Sequence, residues 1–397
     1  MSYGNVEYQN HKYISPKTGY SPSSPSQQFR FMLPKRICLI CVEIFAWGKY
    51  GGFGKATRII GRELVKRGYE VYAVVPRRED QREEEELDGI KVLSFKPADL
   101  FSSGKIYEKI QADLYHSCEP SLGTWLAMKH VPNAAHVVTA RDPREWKDWV
   151  MEFSYPSKSR IQVIQNYFYE YSFLVRRSVR NADALYVPAH FLKEKAKRIY
   201  HYQSDIQFLP TPTEVPDSVT KSDNPSVLYM GRIDPRKRLE LMLELAKDFP
   251  EVTFNIAGKA RVPEYEIQLK NTYSQYPNIQ FLGFIDQFKG EAHSKLLSEA
   301  WILMNTAVRE GLPNSFVEAA GHRCAILSHV DPDDFASKFG YHVMNEDFHE
   351  GLHSLLSGQH WQTMGEKGYE YVNSTYEVKA AMDAHEEMYL KARAKKK

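Results

Sequence analysis

Short apolar runs recur along the chain, each followed by a stretch whose apolar positions fall three or four apart. Ile37-Cys38-Leu39-Ile40-Cys41-Val42 is the first run, and Ala56, Ile59, Ile60 and Leu64 mark the stretch after it. An unbroken apolar run predicts a strand covered on both faces, and the longer period predicts a helix laid over it. The alternation continues through strands near 71–75, 92–95, 114–115, 137–139 and 184–187. Leu209-Pro210-Thr211-Pro212-Thr213-Glu214-Val215-Pro216 interrupts it, and its prolines predict a hinge. A second series follows at 227–230, 254–257, 281–282, 302–303 and 326–327. Two βα series of similar size predict an α/β protein of two facing domains, residues 35–210 and 211–375, followed by a helical stretch over 376–397. Residues 1–34 lack apolar periodicity and are expected to be a flexible tail. The nearly all-charged run 77–86 is expected to be a solvated loop or helix face.

Composition narrows the function. Lys and Arg total 52 against 50 Asp and Glu, a formal net charge of +2, so there is no bulk electrostatic case for nucleic acid as a partner. The four cysteines are few for 397 residues, and Cys38 and Cys41 lie inside a strand pattern, so they read as buried structural thiols of a cytoplasmic protein. No apolar run approaches the ~20 residues of a membrane span. The segment 157–180 sets Lys158, Arg160, Arg176, Arg177 and Arg180 among Tyr, Phe and Val. It reads either as a basic amphipathic surface for a membrane or lipid-linked acceptor, placing the protein at the inner face, or as an ordinary helix pair with a solvated basic side.

The candidate chemistry sits where strands end. Trp47-Gly48-Lys49-Tyr50-Gly51-Gly52-Phe53-Gly54 joins the first strand to its helix, a Rossmann-like opening in which glycines let a ligand approach the backbone. In the second series, Gly231 permits a bend after a strand, Arg232 offers a planar fork for phosphate oxygens, and Lys237 adds a mobile positive charge. The strand near 302–303 leads into Arg309-Glu310-Gly311-Leu312-Pro313-Asn314-Ser315-Phe316-Val317-Glu318. Gly311 and Pro313 predict a turn, Asn314 or Ser315 the N-cap, and the unpaired N–H groups of the helix start an anion seat between Glu310 and Glu318. Asp331-Pro332-Asp333-Asp334 follows a strand and reads as a loop rather than a metal site.

Together these motifs resemble family 4 of the retaining glycosyltransferases with the GT-B fold, two facing Rossmann-like domains with a cleft between them. The resemblance rests on Gly51-Gly52, Gly231-Arg232 with Lys237, Ile256-Ala257-Gly258, and Glu310 with Glu318. It implies a nucleoside-diphosphate sugar as donor, a glycan, lipid-linked or small-molecule hydroxyl acceptor, and no cofactor or metal. It further implies Glu310 on the transferred sugar, Glu318 on the ribose, Arg232 and Lys237 on the diphosphate, residues 311–316 as the cradle, and the C-terminal helix packed back on the first domain. Relatives often carry a histidine near the sugar; His116 stands in that region, as a functional residue or as a strand-end histidine. Cys118 and Arg141 occupy positions where relatives show histidine, and Arg238 one where they show glycine. A sugar-nucleotide epimerase on the same fold and a binding protein without turnover are the rival functions.

Overall fold

The computed structural model describes residues 34–78, 80–157 and 159–396; the expected tail lies outside them apart from Pro34, as does Lys158. From Pro34 onward the chain is one compact unit carrying two sheets. The first contains β1 (Arg36–Ile40), β2 (Glu70–Pro76), β3 (Glu84–Leu87), β4 (Ile90–Phe95), β5 (Leu114–Ser117), β6 (Ala135–Thr139), β7 (Ala184–Val187) and β8 (Gln207–Phe208), in the order β3-β4-β2-β1-β5-β6-β7-β8. The second contains β9 (Ser226–Met230), β10 (Thr253–Ala257), β11 (Ile279–Gly283), β12 (Ile302–Asn305), β13 (Ala325–Ser328) and β14 (Gly340–His342), in the order β11-β10-β9-β12-β13-β14.

Every paired neighbour is parallel except β3 against β4. The order reverses beside β1 in one sheet and beside β9 in the other, which opens a crevice at the carboxyl ends of those strands. The apolar runs became the central strands because both faces are covered: Ile37, Cys38, Leu39 and Ile40 of β1 are all buried. The charged run departs from its expectation, since Glu84–Leu87 forms an edge strand. Acidic side chains suit that place, where they deter a further strand from adding.

The proline-rich crossing is paired along its length. Leu209 N–H donates to the Val187 carbonyl (2.9 Å) and Thr213 N–H to that of Tyr376 (2.8 Å). The chain returns through the helix Val378–Ala394, whose Met382, Met388 and Tyr389 pack with Ile37 and Leu39 of the first sheet. Arg67 binds Asp383 (2.8 Å) and Glu386 (2.7 Å) of that helix.

Beneath it lies a buried polar cluster. The Tyr389 hydroxyl sits 2.8 Å from His116 Nδ1 and 3.4 Å from His385 Nδ1, His116 Nε2 lies 2.8 Å from Thr139 Oγ1, and His385 Nε2–H donates to the Pro210 carbonyl (3.2 Å). Both ring nitrogens of His116 are thus engaged inside the fold, so of its two expected places it takes that of a strand-end histidine.

Burial pulls His116 well below the ordinary imidazole range and His385 down to about 3. An unfolded imidazole binds its proton near 6.5, so between about 6.5 and 3 the unfolded chain holds more protons than the folded one. Stability is therefore complete above that window and falls as pH drops through it. Melting temperatures should decline on acidification from neutral pH, and His385→Gln should flatten the decline; a profile equally steep in that variant would remove His385 as a cause.

Candidate active site at the carboxyl ends of the two sheets

Close backbone approach shapes both sides of the crevice. After β1 the chain turns through Gly51, which caps the helix Gly52–Lys66 in an extended conformation. A Cβ on Gly51 would fall 2.0 Å from Glu43 Oε1, the oxygen that accepts the Gly54 N–H at 3.0 Å. In the second sheet the ends of β9 and β10 touch directly: a Cβ on Gly258 would lie 1.9 Å from the Gly231 carbonyl oxygen. Only glycine leaves both turns open to a ligand.

Charged side chains converge between these turns. The Lys237 ammonium pairs with Glu310, and Asn305 Nδ2 lies 3.4 Å from the same carboxylate oxygen. Glu318 pairs with Lys55 from the opposite sheet's helix, with His293 Nε2 3.6 Å from its other oxygen. Burial pulls the Lys55 ammonium down to about 7, with Glu214 opposing; Glu318 in contact likewise favours its charged form. Burial also lowers the His293 imidazole to about 3, aided by Lys55, so it faces Glu318 as a neutral ring.

Contacts across the crevice continue from there. Asn314 Nδ2 donates to the Gly52 carbonyl at 2.9 Å. Arg309, one residue before Glu310, reaches Asp142 (2.5 Å) and Asp148 (3.0 Å). Asp142, Glu152 and Glu170 all bind Arg144, and the guanidinium groups of Arg144 and Arg309 hold the Asp142 carboxyl well below the usual range despite its burial.

Other cations have no such partner. Among the described residues Arg232, Lys259 and Arg261 make no side-chain hydrogen bond or ion pair, yet all three line the crevice. Burial lowers Arg261, and the nearby charge of Arg232 lowers it further. Like charges held together and facing an open cavity leave a seat for a multiply charged anion.

The cavity is one cleft of about 1020 Å³. Gly51, Gly52, Gly231, Arg232, Lys237, Glu310, Gly311, Leu312, Pro313, Asn314, Ser315 and Glu318 all line it. His116 does not. Arg141 reaches it but is buried, donating to Cys118 O (3.0 Å) and Thr211 Oγ1 (2.7 Å). The helix Asn314–Gly321 is capped at Pro313 rather than at Asn314 or Ser315, and no side chain closes its first turn. Asp331 and Asp333 accept backbone N–H groups of Ala336, His190 and Phe191. Among the described residues no group of His, Cys, Asp and Glu converges as a metal site would.

Lys55, Lys259, Arg261, His293 and Arg309 escaped the sequence reading. Lys55 alone had a local signal, one turn into the helix that the glycine loop begins.

The sequence pattern of Glycosyltransferase Family 4 matches residues 50–215, and that of Glycosyl transferases group 1 matches residues 211–333. No curated protein matches. Among solved structures, sucrose-phosphate synthase of Thermosynechococcus elongatus aligns with TM-score 0.69 at 16% identity, over 91% of this chain and 100% of its own. HepE of Anabaena, solved with UDP-glucose, gives 0.66 at 10% over 89% and 99%. WaaG, a glycosyltransferase involved in lipopolysaccharide biosynthesis, gives 0.65 at 14% over 89% and 99%. At these identities the likeness is one of fold, two parallel-sheet domains of the GT-B kind.

Removing Arg309 would take one of two cationic partners from each of the buried carboxylates Asp142 and Asp148, leaving them Arg144 and Lys195. Arg309→Ala should cost about 2 kcal/mol in denaturant unfolding, the loss of charge-assisted hydrogen bonds. Arg232→Ala, which breaks no bond inside the protein, should stay within about 0.5 kcal/mol of the parent. Equal costs would show that the two arginines do not divide their work in this way.

Proposed function

Because the chain belongs to the glycosyltransferases of family 4 and group 1, with the GT-B fold, we propose that it moves a sugar from a nucleoside-diphosphate sugar to a hydroxyl acceptor with retention at the anomeric carbon and without a metal. The observation that carries this is the unpaired cation group Arg232, Lys259 and Arg261 in the same cleft as Glu310 and Glu318. UDP is the favoured nucleotide, since HepE was solved with UDP-glucose. The acceptor is a glycan, a lipid-linked molecule or a small hydroxyl compound, met in the cytoplasm with peripheral contact at the inner membrane face.

Each group then has a task. Glu318 accepts the ribose hydroxyls, braced by Lys55 and neutral His293. Glu310 accepts hydroxyls of the transferred sugar, and its bond to Lys237 leaves that ammonium two further N–H donors for the diphosphate. Arg232, with Arg261 and Lys259 beside it, meets the charge that grows on the leaving oxygens.

Retention calls for attack on the face from which the diphosphate departs. The bond from the anomeric carbon to the diphosphate oxygen breaks with its electron pair going to the phosphate. The acceptor oxygen bonds to the same carbon, and its proton passes to the departing diphosphate. The carboxylates Asp142, Glu152 and Glu170 on the facing wall are bound to Arg144 rather than standing free as nucleophiles, which supports this route over a double displacement.

UDP at ~100 times its Kd should add about 2.7 kcal/mol of folded stability, seen as a thermal shift that Arg232→Ala abolishes. UDP-sugar turnover should fall about a hundredfold or more in Glu310→Gln. No shift with UDP, GDP, ADP, CDP or dTDP would overturn the proposal. Binding without turnover would make the chain a binding protein, and release of an epimer without acceptor an epimerase.

A further inference from the structure

Two consecutive helices, Trp146–Ser154 and Arg160–Tyr171, turn one side to the cleft and the other to solvent, and a third, Phe173–Arg180, follows them with Val175 and Val179 buried in the core. The inward side carries Glu152, Gln162, Asn166 and Glu170, all lining the cleft. The outward side is apolar. Trp146 is 69% exposed, Val150 46% and Phe153 41% on the first helix; Ile161 is 69%, Ile164 46% and Phe168 58% on the second; Phe173 is 61% on the third. Within each of the first two helices the exposed apolar residues fall three or four apart, so each exposes a stripe, and the third adds Phe173.

The stripes meet. Trp146 stacks edge-on against Tyr167 (6.4 Å between ring centroids), Tyr167 against Phe168 (5.6 Å), and the Arg160 guanidinium lies over the Phe153 ring (5.4 Å). Single exposed apolar side chains are ordinary on a protein surface; a joined patch of this size is not.

Charge specifies the occupant. The acidic residues between 142 and 180 are Asp142, Glu145, Asp148, Glu152 and Glu170, and every one is ion-paired with Arg144, Lys147, Arg198, Lys195, Arg309 or Arg236. What remains outward is cationic: Arg160, Arg177 and Arg180 are exposed and have no ion pair among the described residues. Large apolar side chains among unpaired arginines, with no free acid, complement an anionic lipid surface.

We propose that this face docks on an anionic phospholipid bilayer. Resting there, it holds the opposite side of the same helices, the cleft wall of Glu152 and Glu170, beside the membrane. That wall is where the acceptor binds, a clause that rests on the glycosyltransferase proposal, and the acceptor it fits is a hydroxyl compound carrying a lipid anchor.

The test is flotation of the full chain with vesicles of phosphatidylcholine alone and of equal parts phosphatidylcholine and phosphatidylglycerol. At low salt the protein should float with the anionic vesicles and not with the neutral ones. The double substitution Ile161→Glu with Phe168→Glu should cut flotation about tenfold or more while leaving the melting temperature and the UDP-induced shift unchanged. Failure of the parent to float, or equal flotation of the variant, overturns the proposal. So does gel filtration showing a dimer that the double variant splits, with no flotation, because the face would then belong to a second copy. Loss of the UDP shift with flotation intact would strike the glycosyltransferase proposal and leave the bilayer surface standing.

Discussion

A charge taken out of water must find its counter-charge inside the protein, and here the nearest one is supplied from across the cleft. Arg309 on the second sheet is held by Asp142 and Asp148 on the first, and Glu318 on the second by Lys55 on the first. Breaking such a pair leaves an uncompensated buried charge, so the two carboxyl edges are held face to face. Glu310 follows Arg309 directly in the chain, and its place in the cleft depends on that anchorage. The crossing at Leu209–Thr213 and the returning helix supply the covalent frame, but the polar pairs supply the register.

Pairing is also selective. The cations that brace the architecture are bound to carboxylates, whereas Arg232, Lys259 and Arg261 face the cleft with no partner among the described residues. Cations left together next to a low-dielectric wall repel one another, and Arg261, lowered first by burial, is lowered further by the charge of Arg232. Such a group gains most from an arriving polyanion, which turns repulsion into shared attraction without any rearrangement of the fold. The glycine turns at Gly51 and at Gly231–Gly258 keep the cleft walls free of side chains beside these cations.

The helices Trp146–Ser154 and Arg160–Tyr171 join the chemistry to the outside. Their inward carboxylates are drawn into the Arg144 network, which leaves the opposite sides free of acid. The same pairing rule that organises the cleft thus sorts charge between the two sides of these helices, and the exposed apolar stripes follow from that sorting.

What the sequence by itself determined is what a local pattern can encode. Unbroken apolar runs specified β1, β2, β9 and β12, because a strand covered on both faces tolerates little else, and the glycines specified turns that side chains would close. The family motifs placed Gly51, Arg232, Lys237 and Glu310 in the turns after strands and Glu318 in the helix that follows, and these all reach one cleft. Only the tertiary structure decided which partner each polar group took. His116 looked equally able to serve the site or the core, and the helix Val378–Ala394, far away in sequence, buried it against Tyr389. Lys55 had only its place in the first turn of the helix after the glycine loop, and Arg309 no local mark of its role, since their counter-charges lie more than a hundred residues away in the chain. Periodicity reports which face of an element is covered; it carries no record of what covers it.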